Sequence, residues 1–363
     1  MPKLKIDYWF LLAVILLSAV GAITIFSASP TMGMKHADLL YYIKRHLFYL
    51  LLGAGACLYG FNLDLQKLKK IAFPLFAFSV LLLILVFVPG VGHNISGASR
   101  WIDLGILSFQ PSELIKFTLT VFIAKLLVEK KGSIGNFING VLPALLIFGL
   151  VAGLIIKQPD LGTVLTLGGA VFAMLFVAGM QYAQFAVLGL LAIITVGLLG
   201  VTSPYRMRRF LAFFDPWQDP QGIGFQIIQS LLAVGSGGFM GLGLGASRQK
   251  FYYLPQQFTD FIFAILCEET GFLGALAVIS LFVLFAHRGF MIALGAKDPF
   301  KSLLATGLVA WLTTQALINI MVVVGLVPTT GIPLPFISYG GTATIINLFA
   351  VGVILNISKK GTA

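Results

Sequence analysis

The most informative stretch of the sequence is LPQQFTDFIFAILCEETGFLGALAVISLF, residues 254–282. From Phe258 onward they form one apolar run that is longer than a helix needs to cross a bilayer. This run nevertheless carries three carboxylates, at Asp260, Glu268 and Glu269. A charged carboxylate inside hydrocarbon is costly, so such groups are rare there and usually functional. The stretch therefore predicts a membrane helix and, at or near it, a functional site.

The composition of the whole chain favours a membrane protein. Of the 363 residues, 58% are hydrophobic and only 10% are charged, and the mean hydropathy is +0.99. A soluble domain of this length carries far more charge. The net charge of +11 comes mainly from short Lys and Arg clusters between apolar runs. That pattern is typical of membrane orientation signals, whereas nucleic-acid binding needs basic residues gathered on one solvated face.

Apolar runs of about 20 residues predict ten transmembrane helices, which gives an all-α polytopic fold. We interpret residues 1–363 as a single membrane domain. The sixth and seventh helices are the least clearly separated, because only MQYAQ lies between them. The predicted helices are 8–27, 43–62, 71–89, 111–129, 138–156, 161–180, 183–201, 258–286, 303–325 and 338–357.

The distribution of Lys and Arg predicts the orientation. With the N-terminus inside, the inner connections hold 13 of these residues and the short outer connections hold five, so both termini are predicted to be cytoplasmic. Lys44 and Arg45 fall on the outer side and oppose the trend. The inner set is Lys3, Lys5, Lys67, Lys69, Lys70, Lys125, Lys130, Lys131, Arg288, Lys297, Lys301, Lys359 and Lys360; the other outer residues are Lys35, Arg100 and Lys157.

One outer connection, residues 202–257 between the seventh and eighth helices, is far longer than the others. Long connections in compact proteins are usually functional or disordered. Within it, the apolar residues of FQIIQSLLAV (225–234) recur at helical spacing, which predicts an amphipathic helix. The glycine-dense GSGGFMGLGLG (235–245) lacks the features of a phosphate-binding P-loop and predicts tight turns or close helix packing.

Asp260 is the candidate catalytic residue. We predict it one turn into the eighth helix, just inside the outer interface, in a partly dry cleft that faces the long loop. Partial desolvation raises the pKa of a carboxylate, which suits a general base. The alternative is a carboxylate near a helix N-terminus, favoured by the helix dipole, with Thr259 as the N-cap.

Glu268 and Glu269 lie eight and nine residues further along the same predicted helix, roughly 12 Å deeper. At that distance they cannot form a close carboxylate pair with Asp260. We interpret them as partners for Lys or Arg inside the bundle, with a structural or conformational role.

A second acid and base pair occurs in RWIDLGILSFQPSELIKF, residues 100–117. Pro111 suits the first turn of a helix, and Glu113 and Lys116 then share one face at i, i+3. Two interpretations remain open. The pair is either a neutralised buried ion pair, or Lys116 contacts a lipid phosphate and Glu113 positions it.

Further polar residues at the predicted outer end are candidates for substrate binding. In KQPDLGT (157–163), Lys157 and Asp160 form either a turn or a substrate contact. In GIPLPFISYGGT (331–342), Ser338 lies in backbone that must leave regular helix, which is tolerated at this depth only against protein or a cavity.

The long outer loop also holds cations that orientation does not explain. Arg206, Arg209, Arg248 and Lys250 suit an anionic ligand, such as a phosphate or pyrophosphate headgroup. Attraction to anionic lipid is the simpler alternative.

These motifs occur together, in order, in one known family. The chain resembles the SEDS proteins (RodA, FtsW and SpoVE) over nearly its whole length, and the form of residues 215–250 is closest to the FtsW and SpoVE branch. The matching stretches are IFSAS (25–29), FQPSELIK (109–116), KQPDLGT (157–163), DPWQDPQG to GLGASRQK (215–250), LPQQFTDFIFAILCEETG (254–271) and GIPLPFISYGG (331–341).

The resemblance implies a peptidoglycan glycosyltransferase that polymerises lipid II at the outer face of the bacterial cytoplasmic membrane, for cell division, cell shape or spore wall synthesis. It implies two partners, lipid II and a class B penicillin-binding protein transpeptidase. The essential aspartate of the family corresponds to Asp260, and its paired Glu and Lys correspond to Glu113 and Lys116. Gln256 and Gln257 depart from the family, since many members have Glu and His near these positions.

The implied chemistry agrees with the interpretation of Asp260 as a base. The acceptor hydroxyl must lose a proton as it attacks the anomeric carbon of the donor. The pyrophosphate leaving group must be stabilised by Arg, Lys or a divalent cation, Mg²⁺ or Mn²⁺, although the residues themselves predict no metal site. Two other functions remain open: a lipid II flippase with Glu113, Lys116, Glu268 and Glu269 along a polar path, and a scaffold without catalysis.

Overall fold

The computed structural model describes residues 6–33, 38–89, 92–95, 98–103, 108–201, 203–250, 255 and 257–359. Some residues used in the sequence predictions lie outside these ranges. They are Lys3, Lys5, Lys35, Gln256 and Lys360, together with residues 202 and 251–254 of the long loop.

Thirteen α-helices occur in the described part of the chain. Ten of them correspond to the ten predicted membrane helices, and α10 corresponds to the predicted amphipathic helix. The helices are α1 (Tyr8–Gly33), α2 (Tyr41–Asn62), α3 (Leu65–Lys70), α4 (Ala72–Leu85), α5 (Pro111–Glu129), α6 (Leu142–Lys157), α7 (Leu161–Val177), α8 (Tyr182–Val201), α9 (Pro204–Phe214), α10 (Phe225–Ser236), α11 (Ile262–Gly295), α12 (Pro299–Val323) and α13 (Gly341–Ser358).

Within the described residues, six helices are long and apolar enough to cross a membrane by length and composition. They are α1, α6 with the π-turn before it, α8, α11, α12 and α13. Among the other predicted spans, α4 and α7 are shorter, with 14 and 17 residues, and α5 carries four charged side chains. The chain is thus a multi-pass helical membrane protein, and the number of ten spans stays a prediction.

The fold is not wholly α-helical. A three-stranded antiparallel sheet of order β1–β2–β3 comprises Gly92–Ile95, Ala98–Asp103 and Ser108–Phe109. Ile102 of β2 pairs with Gly92 on one side and with Phe109 on the other. The sequence analysis missed these strands, which are only two to six residues long. They bring residues 100–103 to the start of α5.

Helices α12 and α13 form the centre of the bundle, with 72% and 78% of their most apolar windows buried. Trp311 of α12 is fully buried. Helices α2 and α13 pack at close range through glycine, because a Cβ on Gly352 would meet the Cys57 carbonyl oxygen at 2.1 Å. Small residues at such contacts let helices approach closely in a membrane protein.

Helix α11 is interrupted, so the prediction of one continuous helix was wrong. Gly271 has φ 66° and ψ −163°, a backbone conformation that in practice only glycine adopts. The glycine-dense segment 237–243 lies alongside and bonds to the backbone groups that the break leaves free. Leu242 N and Gly243 N donate to the carbonyls of residues 268 and 269, and Phe272 N donates to that of residue 238, at 2.9–3.0 Å.

Close packing against α11 also explains why this segment is rich in glycine. A Cβ on Gly237 would lie 2.1 Å from the Cys267 carbonyl oxygen, and one on Gly241 would lie 2.2 Å from that of Glu269. The prediction of close packing for this segment is therefore confirmed. Helix α10, which precedes it, buries the face that holds Ile227, and Ser230 Oγ donates to the Val323 carbonyl of α12 at 2.8 Å.

Candidate active site

Asp260 lies in a turn immediately before α11, which begins at Ile262, so its predicted place one turn inside the helix was wrong. The turn is held by its neighbours. Asn319 Nδ2 of α12 donates to the Asp260 carbonyl at 2.7 Å, and Ser338 Oγ donates to the Thr259 carbonyl at 2.5 Å. Tyr339 N donates to the carbonyl of residue 258 at 2.8 Å. These bonds fix the backbone on both sides of the carboxylate.

The Asp260 side chain faces a cavity of about 610 Å³. This volume lies within the range of ordinary ligand pockets, about 300–1,000 Å³. We call it the Asp260 cavity. Its polar and aromatic lining comprises Asp260, Thr259, Glu113, Asp160, Thr163, Arg45, Arg100, Gln110, Ser108, Tyr41, Tyr42, Tyr49, Tyr339 and Trp101, and the rest comes from residues 331–333, 340, 341 and 343.

The electrostatics of the cavity suit proton transfer at Asp260. This residue is half-buried and lies outside helix α11. Burial raises its pKa to about 6, and the nearby Arg209 guanidinium opposes this shift. A Cβ on Gly331 would lie 3.6 Å from Asp260 Oδ2 and 4.0 Å from Arg209 Nη1, so both groups border the same small space. A carboxylate with a pKa near neutrality can accept and release a proton at working pH.

Glu113 and Lys116 form the predicted ion pair, with Lys116 Nζ 2.8 Å from Glu113 Oε2. Glu113 lines the Asp260 cavity, but Lys116 is 1% exposed and lies behind it. Lys116 Nζ also donates to Gln315 Oε1 at 2.9 Å and lies 5.1 Å from the centre of the Trp311 ring. Of the two sequence interpretations, the geometry matches the neutralised buried pair.

This pair is connected to the segment beside Asp260. Gln315, which accepts from Lys116, donates through Nε2 to the Pro333 carbonyl at 2.8 Å. One turn further along α12, Asn319 bonds to the carbonyls of both Asp260 and Ile332. Lys116 can therefore position the wall of the cavity without touching its contents.

Asp160 and Lys157, predicted together, are separated by the fold. Asp160 is the N-cap of α7 and accepts from Thr163 N at 3.0 Å and from Thr163 Oγ1 at 2.8 Å, and both residues line the Asp260 cavity. Lys157 is exposed at the end of α6 and does not line it. Arg100 joins the sheet to this junction, because it donates to the carbonyls of residues 158 and 159 at 2.7 and 2.6 Å.

The predicted cations of the long loop do not form one set. Arg206 and Arg209 lie on α9 and line a second, smaller cavity next to Asp260. Arg248 is exposed, and neither cavity is lined by it. Lys250, 4% exposed, is buried away from both, so its predicted outward position was wrong.

Lys250 belongs to a buried polar cluster around the two glutamates of α11. Its Nζ lies 3.3 Å from Glu269 Oε1, and Ser27 Oγ of α1 donates to the same carboxylate at 2.6 Å. The prediction that Glu269 pairs with a cation inside the bundle is thus confirmed. For Glu268 it was wrong, because that carboxylate accepts from Ser247 Oγ and from the backbone N–H groups of Arg248 and Gln249.

Ser338 was predicted to bind substrate, and the structure shows it in a structural contact. Its hydroxyl donates to the Thr259 carbonyl and accepts from Leu334 N at 2.7 Å. It is 5% exposed and is not among the residues that line the Asp260 cavity.

The sequence analysis did not select the aromatic and arginine wall of the cavity. Arg45 Nη1 donates to the Tyr41 hydroxyl at 2.6 Å, and the Arg45 guanidinium lies 5.4 Å from the centre of the Tyr41 ring. A signal was present, since Arg45 stands on the wrong side for orientation by positive charge. A cation that opposes this rule has another role, and here it lines the cavity.

The residues of the cavity do not provide a metal site. The described residues contain no group of three His, Cys, Asp or Glu side chains that could hold a metal ion. Of the carboxylates in the wall, Glu113 is paired with Lys116 and Asp160 caps α7.

Comparison with known proteins shows the family to which the chain belongs. A family model for FtsW, RodA and SpoVE, described as a cell cycle protein, matches residues 8–363. The chain belongs to this family, the SEDS proteins. Among curated SEDS proteins, stage V sporulation protein E of Bacillus subtilis (strain 168) is 44% identical over 98% of both chains. A probable peptidoglycan glycosyltransferase FtsW of Geobacter sp. (strain M18) is 43% identical over 98% of this chain and 97% of the relative.

Two solved structures share the fold. One, from work on structural coordination of polymerization and crosslinking by a peptidoglycan synthase complex, has a TM-score of 0.79 and 32% identity over 98% of both chains. The rod shape determining protein RodA of Thermus thermophilus has a TM-score of 0.74 and 28% identity over the whole of both chains. The higher identity to FtsW and SpoVE assigns this SEDS chain to their branch.

Proposed function

We propose that this SEDS chain is a peptidoglycan glycosyltransferase that polymerises lipid II, with Asp260 as the general base. One observation carries the proposal: the Asp260 carboxylate, with a pKa raised to about 6, faces a cavity lined by arginines and aromatic rings. The FtsW relative, a probable peptidoglycan glycosyltransferase, supports the same reaction.

The reaction requires one proton acceptor and one site of charge stabilisation. The 4-hydroxyl of the acceptor sugar attacks the anomeric carbon of the donor and passes its proton to Asp260. The bond from the anomeric carbon to the phosphate oxygen breaks, and its electron pair leaves with the lipid pyrophosphate. Arginine guanidinium groups suit the developing phosphate charge. A single displacement without a covalent intermediate inverts the anomeric configuration.

The cavity wall suits a lipid-linked saccharide. Tyr41, Tyr42, Tyr49 and Tyr339 supply apolar ring faces with polar edges, and Arg45 lies among them. Such rings combine a large contact area with a hydrogen-bonding group. Lys116 acts behind this wall as a positioning residue, through Gln315 and the Pro333 carbonyl.

The lining of the cavity supports the predicted orientation. Its residues come from the segments at 41–49, 100–113, 160–163, 259–260 and 331–343. Each segment adjoins one of the five connections predicted to be outer. We therefore propose ten spans, cytoplasmic termini, an extracytoplasmic loop at 202–257 and a single domain, in the bacterial cytoplasmic membrane. The polymerisation site then faces outward, where lipid II headgroups are used.

The proposed protein partner is a class B penicillin-binding protein transpeptidase. A solved relative was studied as part of a peptidoglycan synthase complex that coordinates polymerization and crosslinking. A transpeptidase beside the outer opening of the Asp260 cavity would receive new glycan for crosslinking.

No observation favours the flippase. The charges proposed to line its polar path are each bonded within the protein. Glu113 forms an ion pair with Lys116, and Glu269 forms one with Lys250. Glu268 accepts hydrogen bonds from Ser247 Oγ and from two backbone N–H groups. Groups that are already bonded and buried offer little to a passing headgroup.

The test is polymer formation from purified lipid II in detergent, where no translocation is needed. We expect the wild-type protein to make glycan strands, alone or with its transpeptidase. We expect Asp260→Asn to lower the rate by about 10²–10⁴-fold, the usual contribution of a general base. Asp38→Asn, a carboxylate outside the cavity, is the matched control. A wild-type rate for Asp260→Asn would overturn the proposal.

A further inference from the structure

A further cavity, of about 410 Å³, lies at the end of the bundle opposite the Asp260 cavity. Helix α2 shows the separation, because its first residue, Tyr41, lines the Asp260 cavity and its last, Asn62, lines this one. We call it the α3 pocket, because residues 61–66 at the start of α3 form one side of it. Lys301, Asn356 and Lys359 line the other side.

The length of α2 places the α3 pocket at the level of phospholipid headgroups. A helix of 22 residues is about 33 Å long, close to the thickness of the hydrocarbon layer. Since one end of α2 lies at the Asp260 cavity, the other end reaches the opposite surface of the bilayer. The pocket residues belong to connections that the distribution of Lys and Arg predicts to be cytoplasmic.

Positive charge is concentrated at the α3 pocket. Lys301 and Lys359 line it, and α3 beside it carries Lys67, Lys69 and Lys70. Lys301 and the three lysines of α3 form no ion pair among the described residues. A concave site with such charge favours an anionic ligand.

The nearby carboxylates are used to cap helices. Asp64 Oδ1 accepts from Gln66 N at 2.9 Å and from Lys67 N at 3.4 Å, at the start of α3. At the start of α12, Asp298 Oδ1 accepts from Phe300 N at 2.9 Å, and its Oδ2 accepts from Gln66 Nε2 at 2.9 Å. These bonds hold the backbone around the pocket and leave the Lys301 ammonium group for a ligand.

The exposed side of α2 leads directly to the α3 pocket. Leu51, Leu58 and Tyr59 are exposed on this helix. Asn62 follows Leu58 by four residues, so it lies on the same side of the helix, at its end. Acyl chains packed along this apolar side would therefore place their headgroup beside the pocket.

We propose that the α3 pocket binds the phosphate headgroup of an anionic phospholipid. Lys301 contacts the phosphate together with Lys359, whose Nζ is held by the Phe61 carbonyl at 2.7 Å and lies 3.2 Å from the centre of the Phe61 ring. Basic pockets between membrane helices on the cytoplasmic side suit such headgroups. This site goes beyond the proposed function, because it requires neither Asp260 nor lipid II.

Charge and continuity together select a lipid as the occupant. The lysines alone would accept any phosphate, whether it belongs to a lipid or to a soluble molecule. A phospholipid uses both the lysines and the apolar side of α2, whereas a soluble phosphate uses the lysines only. A lipid should therefore bind more tightly than its headgroup phosphate alone.

The test is the binding of dioctanoyl phosphatidylglycerol to the full-length protein in detergent, measured by isothermal titration. We expect Lys301→Gln to raise the Kd at least about fivefold, because one charge-assisted contact is lost. Lys301→Arg keeps the charge, so its Kd should stay within about twofold of wild type. The matched control is Lys131→Gln, which removes an exposed charge after α5, at the same end of the bundle but outside the pocket.

Two further ligands, tested on the wild-type protein alone, identify the source of the phosphate. Dioctanoyl phosphatidylcholine has the same chains without net charge, and glycerol 1-phosphate has the charge without the chains. We expect both to bind at least about tenfold more weakly than dioctanoyl phosphatidylglycerol. Equal binding of phosphatidylcholine would overturn an anion site, and equal binding of glycerol 1-phosphate would overturn the assignment to a lipid.

The variants supply two more results that would overturn the proposal. One is a Kd for Lys301→Gln within twofold of wild type. The other is equal weakening by Lys131→Gln, which would show a general attraction of anionic lipid to this end of the protein. Asp260→Asn should bind phosphatidylglycerol with the wild-type Kd, so a failure of the proposed function is measured separately from a failure of this site.

Discussion

Two groups of carboxylates at α11 differ in how their oxygens are used. Glu268 and Glu269 lie within the first helical segment, and Ser247, Lys250, Ser27 and two backbone N–H groups bond to them. Asp260 lies in the turn before that segment, where the protein bonds to its backbone carbonyl. Among the described residues, its side chain has one hydrogen bond, with Thr259, and otherwise faces a cavity.

The difference shows what a buried acid needs to become reactive. A carboxylate whose lone pairs are filled by protein donors is fixed in place and contributes to structure. A carboxylate that is desolvated but faces open space has a raised pKa and can exchange a proton with a ligand. The position of a carboxylate within an apolar run of sequence does not distinguish a structural from a reactive group. The number of protein hydrogen-bond donors around the carboxylate does.

Removal of the cation beside Glu269 tests the structural role of the two glutamates. Lys250→Met leaves Glu269 buried with Ser27 as its remaining side-chain donor, which should destabilise the protein by about 3–5 kcal/mol. Thermal unfolding of the purified protein in detergent measures this loss.

The control for that substitution is Arg248→Met, an exposed change two residues away, which should cost less than about 0.5 kcal/mol. The double change Lys250→Met, Glu269→Met should recover part of the loss, because no lone buried charge remains. Equal stability of Lys250→Met and wild type would contradict the structural role.

A smaller effect is expected at the break in α11. Gly271→Ala forces a side chain into a backbone region that only glycine adopts, at a cost of about 1–3 kcal/mol before the clash with Gly241 N is counted. Gly153→Ala in α6, where a Cβ meets nothing within 4 Å, should instead stabilise by about 0.5–1 kcal/mol. Thermal unfolding of the two variants measures both effects. A Gly271→Ala protein as stable as wild type would contradict the interruption of α11 at Gly271.

The pH dependence of the rate tests the role of Asp260 as a base. Asp260 must be deprotonated to act as a base, so the rate should be constant well above pH 6 and fall about tenfold per unit below it. The charged groups that influence this carboxyl are Arg209, Arg100 and Asp160. Lipid II polymerisation at substrate concentrations well below KM, between pH 4.5 and 8, measures the midpoint for the free enzyme. A flat profile across this range would exclude Asp260 as the titrating base.

The smallest expected effect is a shift of that midpoint. Arg209 lowers the pKa of Asp260, so Arg209→Gln should move the midpoint to higher pH. Arg208→Gln, an exposed neighbour outside the cavity, should leave it unchanged. The comparison of midpoints separates this electrostatic role from any loss of substrate binding, which changes the amplitude. A shift to lower pH would contradict the assignment.

The length of apolar runs was sufficient to predict ten of the helices, and helical spacing of apolar residues was sufficient to predict α10. It was not sufficient for the start of α11. From Phe258 onward the sequence is apolar, yet the bonds from Asn319, Ser338 and Tyr339 hold residues 258–260 in a turn. Such long-range contacts leave no local pattern in the sequence.

The site was predictable where a residue stood out from its surroundings. Asp260, Glu113 and Asp160 were found because each is a polar residue beside an apolar run, and all three line the cavity. The prediction for Lys250 was wrong because its exposure was inferred from its position in a loop. In the structure, the glycine-dense segment before it packs against α11, and Lys250 lies beside Glu269 of that helix. Arg100 lies in a β-sheet whose strands are too short to predict, so its place in the cavity wall was not found. The tyrosines of the wall resemble ordinary interfacial residues in the sequence.

The Asp260 cavity has walls from segments spread between residues 41 and 343, which has a consequence for biosynthesis. A nascent chain that has inserted only as far as α11 contains Asp260, the proposed base, but lacks Gly331, Tyr339 and the start of α13. Glycan polymerisation can therefore begin only after the last helix enters the membrane. Incomplete chains stalled on the ribosome would carry no uncontrolled wall-building activity.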